Sequence, residues 1–294
     1  MTKPYFTLRV LFLILVLLLS QGCIPRQDPR WKSIKDSEDL PQKTRQDTCA
    51  TIRKRSLQLA SIRGLYSVDL EVGSTINSFR ISLAFKAPDL VRLEILPTTA
   101  AVALIMGVSS KDGGVIVDNI ENRTIEFENS RELADKLLQI DLPAEDLAYI
   151  LSARVPVRML NRLCPLNPSD NDNSQIFFRP APDGAGVTVV DFEMGNFWTI
   201  NPGSGLLRTA LLREEGSGWP ILSVDYVEDD FSEPNHEMPR QQSVVIGSAR
   251  AEAKISTNYS KFNSAIKPEV FKLRVAVNKP QSETGAKPTK TLKN

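Results

Sequence analysis

Three stretches in the first third of the chain alternate apolar and polar residues without a break. In LYSVDLEV the apolar positions are Tyr66, Val68, Leu70 and Val72. In FRISLAFK they are Phe79, Ile81, Leu83 and Phe85, and in VRLEI they are Val91, Leu93 and Ile95. A period of two sends one set of side chains to one face, the mark of half-buried antiparallel strands. Gly73-Ser74 and Ala87-Pro88-Asp89 separate the three runs with turn-forming residues.

Further strands are expected near 101–108, 114–118 and 123–128. The period then changes. Ser130 is placed to cap a helix carrying Leu133, Ala134, Leu137 and Leu138, and Pro143 opens another with Glu145 and Asp146 in its first turn. Strand patterns return near 175–179, 186–193, 196–201, 205–213, 221–228, 241–248, 251–259 and 270–277. A first helix is read at 46–62. No strand–helix–strand rhythm appears, which argues against a parallel sheet. The expected fold is mainly β: an incomplete, strongly curved antiparallel half-barrel with helices over its concave face.

The N-terminus reads as an address. Lys3 and Arg9 precede ten apolar residues, Val10 to Leu19, and Ser20-Gln21-Gly22 lead to Cys23. This is the layout of a signal peptide, and the run is shorter than the roughly 20 residues of a membrane span. A small residue before cysteine resembles a lipobox, although Gln21 moves Ser20 to the third position before the cut. Cys23 is thus the expected lipidation site and mature N-terminus. The expected division is a signal peptide at 1–22, a lipidated tether at 23–44, a folded domain at 45–278 and a disordered tail at 279–294.

Removing Lys3 and Arg9 leaves 34 basic against 35 acidic residues, so nothing in the charge favours nucleic acid. Cys49 and Cys164 are the two cysteines after Cys23. In an oxidising compartment they are candidates for a disulfide, the alternative being two buried, reduced thiols. His236 is the single histidine and lies in an acidic run with Asp225, Glu228, Asp229, Asp230, Glu233 and Glu237. That run lacks a calcium-loop glycine and reads as a solvated turn, so no metal and no cofactor are expected. No Gly-x-Ser-x-Gly elbow or phosphate-binding glycine loop occurs, and an enzyme is not expected.

The run FRISLAFKAPDLVRLEILP, the helix pair RELADKLLQIDLPAEDLAYILSARVP and the later ILSVDYVEDD with MPRQQSVV resemble the LolA/LolB-like lipoprotein carriers over roughly residues 46–278. The resemblance implies an incomplete barrel with a helical lid over an apolar cavity. It also implies a lipid-anchored member that receives lipoproteins from a soluble periplasmic carrier and releases them into the outer membrane. The segment PTTAAVALIMG departs from the family in lacking an early glycine.

On this reading Phe79, Ile81, Leu83, Phe85, Leu93 and Ile95 line the ligand site. Arg92 points away from them, either to solvent or, as the resemblance implies, to the lid or a lipid headgroup. The apolar stretch holding Val102, Leu104, Ile105 and Met106 is either a buried strand or a finger touching membrane or cargo. The expected function is binding of acyl chains or lipoproteins at the outer membrane, facing the periplasm. The rival is an assembly scaffold with a filled core and a protein partner.

Overall fold

The computed structural model describes residues 33–34, 36–99, 102–165, 175–213, 220–227, 239–247 and 251–273. The signal segment, Cys23, the tail at 279–294 and the acidic turn from Glu228 to Met238, His236 included, lie outside them.

Helix α1 (Gln42–Leu57) precedes six strands: β1 (Ser61–Val72), β2 (Thr75–Lys86), β3 (Leu90–Pro97), β4 (Ile105–Ser110), β5 (Gly113–Asp118) and β6 (Arg123–Phe127). Three helices follow, α2 (Ser130–Leu138), α3 (Ala144–Leu151) and α4 (Val157–Leu163). Seven strands complete the sheet: β7 (Ile176–Pro180), β8 (Val187–Asp191), β9 (Asn196–Ile200), β10 (Leu207–Arg213), β11 (Pro220–Tyr226), β12 (Gln241–Ile246) and β13 (Ala251–Phe262). A short 3-10 turn covers Pro268–Phe271.

All 13 strands form one sheet in the order β6-β5-β4-β3-β2-β1-β13-β12-β11-β10-β9-β8-β7. The chain enters at the middle and steps outward to β6. It crosses through α2–α4 to the opposite edge at β7, then steps back until β13 pairs with β1, antiparallel like its neighbours. Because β6 and β7 are the two edges, the sheet is an open half-barrel. The helices that join those edges are held against its concave face, where both sets of inward side chains need cover.

Inward positions follow the alternation. Phe85 opposes Ile62 and Val91, Leu83 opposes Gly64 and Leu93, and Ile81 opposes Tyr66 and Ile95. Helix α2 comes close to the sheet at Gly107, where an added Cβ would lie 2.2 Å from the Leu133 side chain. The residue missing there is what lets the helix settle.

The structure corrects several expectations. The tether does not extend to residue 44: Ile34 is buried with Val190, Phe197 and Leu211, and Asp39 accepts a hydrogen bond from the Phe178 amide. Helix α1 begins at Gln42, ahead of the expected residue 46. Asn129, not Ser130, caps α2, its side chain accepting from the Glu132 amide. Helix α4 was not anticipated, and residues 268–271, near the start of an expected strand, form the 3-10 turn after Pro268.

Candidate functional site

Three cross-strand rows build the floor of a cavity in the middle of the concave face. Val72, Ala251, Ile246 and Leu222 form the first row, and Leu70, Ala253, Val244 and Val224 the second. Val68, Ile255, Gln242 and Tyr226 form the third. Strand β13 contributes alanines at two adjacent inward positions, so the centre of the floor lacks the volume that leucine or phenylalanine would supply. Leu137 from α2 and Leu147, Ile150 and Leu151 from α3 roof the space. The result is a cavity of about 310 Å³, with no charged side chain among its lining residues.

The roof is fastened at both helices. Tyr226 donates its hydroxyl to the Ile150 carbonyl, and the Leu207 amide donates to the carbonyl of Ala153 just after α3. Asp146 of α3 pairs with Arg158 of α4. Burial pushes the Asp146 carboxyl up to about 6, against the opposing pull of Arg158. Burial likewise raises the Tyr226 hydroxyl, which stays protonated and able to donate. Helix α2 lies on the sheet through Leu133 and ends at Gln139 in a left-handed conformation, φ 56°.

At the end of the sheet where the first row lies, three hairpins present exposed apolar residues: Val72 and Ile76, then Val102 and Leu104, then Ile120. Val102 is 74% exposed. Ile105 and Met106 belong to β4, with Ile105 opposing the inward Ile95 and Met106 on the other face. The stretch is thus a hairpin with an exposed tip and a half-buried base, rather than a wholly buried strand.

Of the six residues expected to line a ligand site, Phe79 and Ile81 line this cavity. Leu83, Phe85 and Leu93 are instead buried in closed packing, with the Phe85 ring edge-on to Tyr149 at 5.4 Å. Ile95 shares their face, half-buried, outside the cavity lining. The correction has a simple cause: α3 lays Tyr149 over that part of the sheet and fills it. Sequence reasoning missed β11, β12 and β13 as cavity walls, although VDY, QQSVVI and AEAKI carry the same alternation.

Arg92 also departs from the expected lid contact. It lies on the outer face of the sheet and donates to Glu94 and to the Val270 carbonyl of the 3-10 turn, 2.7 Å away. Cys49 of α1 and Cys164 just after α4 are joined by a disulfide, their Cα atoms 5.4 Å apart. It fixes α1 to the last of the crossing helices. Among the described residues no cluster of His, Cys, Asp or Glu is arranged to hold a metal ion.

The sequence matches no family model and no curated protein. Solved structures do match. A putative outer membrane lipoprotein-sorting protein domain from Vibrio parahaemolyticus superposes with a TM-score of 0.50 at 9% identity, covering 76% of this chain and 95% of that one. The chain has the fold of this sorting domain. A DUF1329 family protein from Desulfovibrio piger shares that fold at 0.50 and 11% identity, over 79% of this chain and 97% of its own. A LolA superfamily protein from Nitrosomonas europaea stands at 0.48 and 8% identity, over 78% and 97%. The sorting-domain fold is the half-barrel expected from the sequence resemblance.

Proposed function

We propose that the protein is a lipid-anchored cell-envelope lipoprotein that takes up acyl chains, free or borne by lipoproteins, for transfer or insertion at the outer membrane. The observation that carries this reading is the uncharged cavity between the three floor rows and the roof of α2 and α3. Apolar surface of that kind returns about 25 cal/mol for each Å² taken from water, enough to hold a chain without covalent chemistry. The exposed hairpin tips at Val72, Ile76, Val102 and Ile120 give an apolar surface beside the first row for contact with membrane or cargo.

The anchor at Cys23 places the domain on the membrane facing the periplasm, where a soluble carrier is a suitable partner. Ile24, in place of aspartate after the cysteine, supports outer-membrane sorting. Replacing Cys23 by Ser should release the protein from the membrane fraction, and retention of a fully processed form would remove the anchor from this account.

The decisive experiment is organic extraction of the purified full-length protein followed by mass spectrometry, with uptake of a fluorescent acyl probe in parallel. Bound chains or saturable uptake are expected. Neither, in a folded protein, would favour the scaffold reading, for which the closed packing around Phe85 and Tyr149 is the supporting observation.

A further inference from the structure

Gln242 breaks the pattern of the cavity it lines. It occupies an inward position on β12, between Ile255 on one neighbouring strand and Tyr226 on the other. Its side chain is buried, 2% exposed, and both its Oε1 and its Nε2 lack a hydrogen-bond partner. Exchanging the two ends of the amide changes nothing, because both are unsatisfied. Tyr226, the one polar neighbour in its row, donates its hydroxyl to the Ile150 carbonyl, and its oxygen, though still able to accept, is not bonded to the Gln242 amide. An unpaired buried donor and acceptor oppose folding, so such groups are ordinarily satisfied by protein, water or ligand.

We infer that Gln242 is a specificity-determining residue, selecting a single-chain amphiphile whose head both donates and accepts a hydrogen bond. A hydroxyl, a primary carboxamide or an un-ionised carboxyl meets Nε2 and Oε1 together. An ester accepts from Nε2 but leaves Oε1 orphaned, and a hydrocarbon satisfies neither. The absence of charged residues from the lining excludes an ionised head, which would be buried without a partner. Gln242 stands four residues along β12 from Ile246 in the first row, roughly 13 Å at strand rise. Head and chain therefore sit at different depths of the same cavity, with the head under α3. This inference rests on the acyl-binding function proposed above and names the chemistry of the ligand.

The test measures dissociation constants of the full-length protein and its Gln242→Leu variant for decane, methyl decanoate, decan-1-ol and decanamide. Taking the variant-to-native ratio for each probe cancels differences in solubility. The ratio should be about ten-fold or more for the alcohol and the amide, smaller for the ester, and below one for decane. Decanoic acid should bind at pH 5 and lose affinity at pH 8, where it is ionised. The variant should also unfold at higher urea than the native protein when both are empty. Gln242→Met, unbranched like glutamine, repeats the series if the leucine variant does not fold. Equal ratios for all four probes would overturn the inference while leaving acyl binding intact, and a water bridging the amide would give that result. Failure of the native protein to bind any of the probes would overturn both.

Discussion

Two neighbouring regions of one concave face behave differently although their alternation is the same. Beneath β2 and β3 the inward residues are Leu83, Phe85, Val91 and Leu93, and α3 adds Tyr149; the space is full. Beneath β11–β13 the inward residues include the small Ala251, Ala253, Val224 and Val244 at the centre, and the space stays open under Leu137 and Ile150. Periodicity decides which side chains turn inward, whereas their size and the helix laid over them decide whether a cavity remains.

The comparison can be broken most forcefully on the filled side. Phe85→Ala should cost about 3–5 kcal/mol in urea unfolding, through lost burial and the void left beside Tyr149. Leu83→Ala belongs to the same region and should cost about 2–5 kcal/mol. Where these variants remain folded, acyl-probe affinity should be unchanged; a loss of affinity in proportion to either void would mean that the two regions form one site.

The disulfide is next. Replacing both Cys49 and Cys164 by Ser should lower stability by about 2–4 kcal/mol, because the reduced chain regains the freedom of a loop spanning 115 residues. Thiol counting on the unfolded, unreduced mature protein gives a direct check. No free thiol from this pair is expected, and two would contradict the bridge.

A smaller effect concerns pH. The folded-state value of Asp146, raised from 3.8 to about 6, exceeds its unfolded value. Its contribution to stability is thus fully present below about pH 4 and is lost as pH rises through about 6. A decline of about 1–3 kcal/mol between pH 4 and 7 is expected in unfolding experiments, and Asp146→Asn should flatten it. An unaltered slope in that variant would assign the titration elsewhere.

How much of this was legible follows from the same physics. The strands near 61–97 could be read because polar and apolar residues alternate strictly. The start of β4 could not, because AAVALIM offers an unbroken apolar run and no period. Helix α4 did carry a signal, with Pro156 before Val157, Leu160 and Leu163 at helical spacing, but its seven residues lie in a stretch dominated by loop formers. Of the residues expected at a ligand site, Phe79 and Ile81 fall in the cavity lining, whereas Leu83, Phe85 and Leu93 fall outside it because tertiary packing of α3, not strand pattern, fills the space over them. Gln242 was visible as a glutamine at an inward position of QQSVVI, a polar residue where alternation calls for an apolar one. Arg92 was correctly turned away from its neighbours, yet its contact with Val270 joins elements 178 residues apart, beyond any local pattern.

The central claim is that the open region under β11–β13 is the binding site, and Ala253→Phe tests it most directly. Ala253 lies at the middle of the floor, between Leu70 and Val244. Equilibrium titration of native and variant full-length protein with a fluorescent acyl probe, beside urea unfolding of both, gives the answer. The variant should retain its fold and lose saturable binding, because the ring occupies the cavity. Undiminished affinity in a folded Ala253→Phe protein would place the ligand elsewhere and contradict the account.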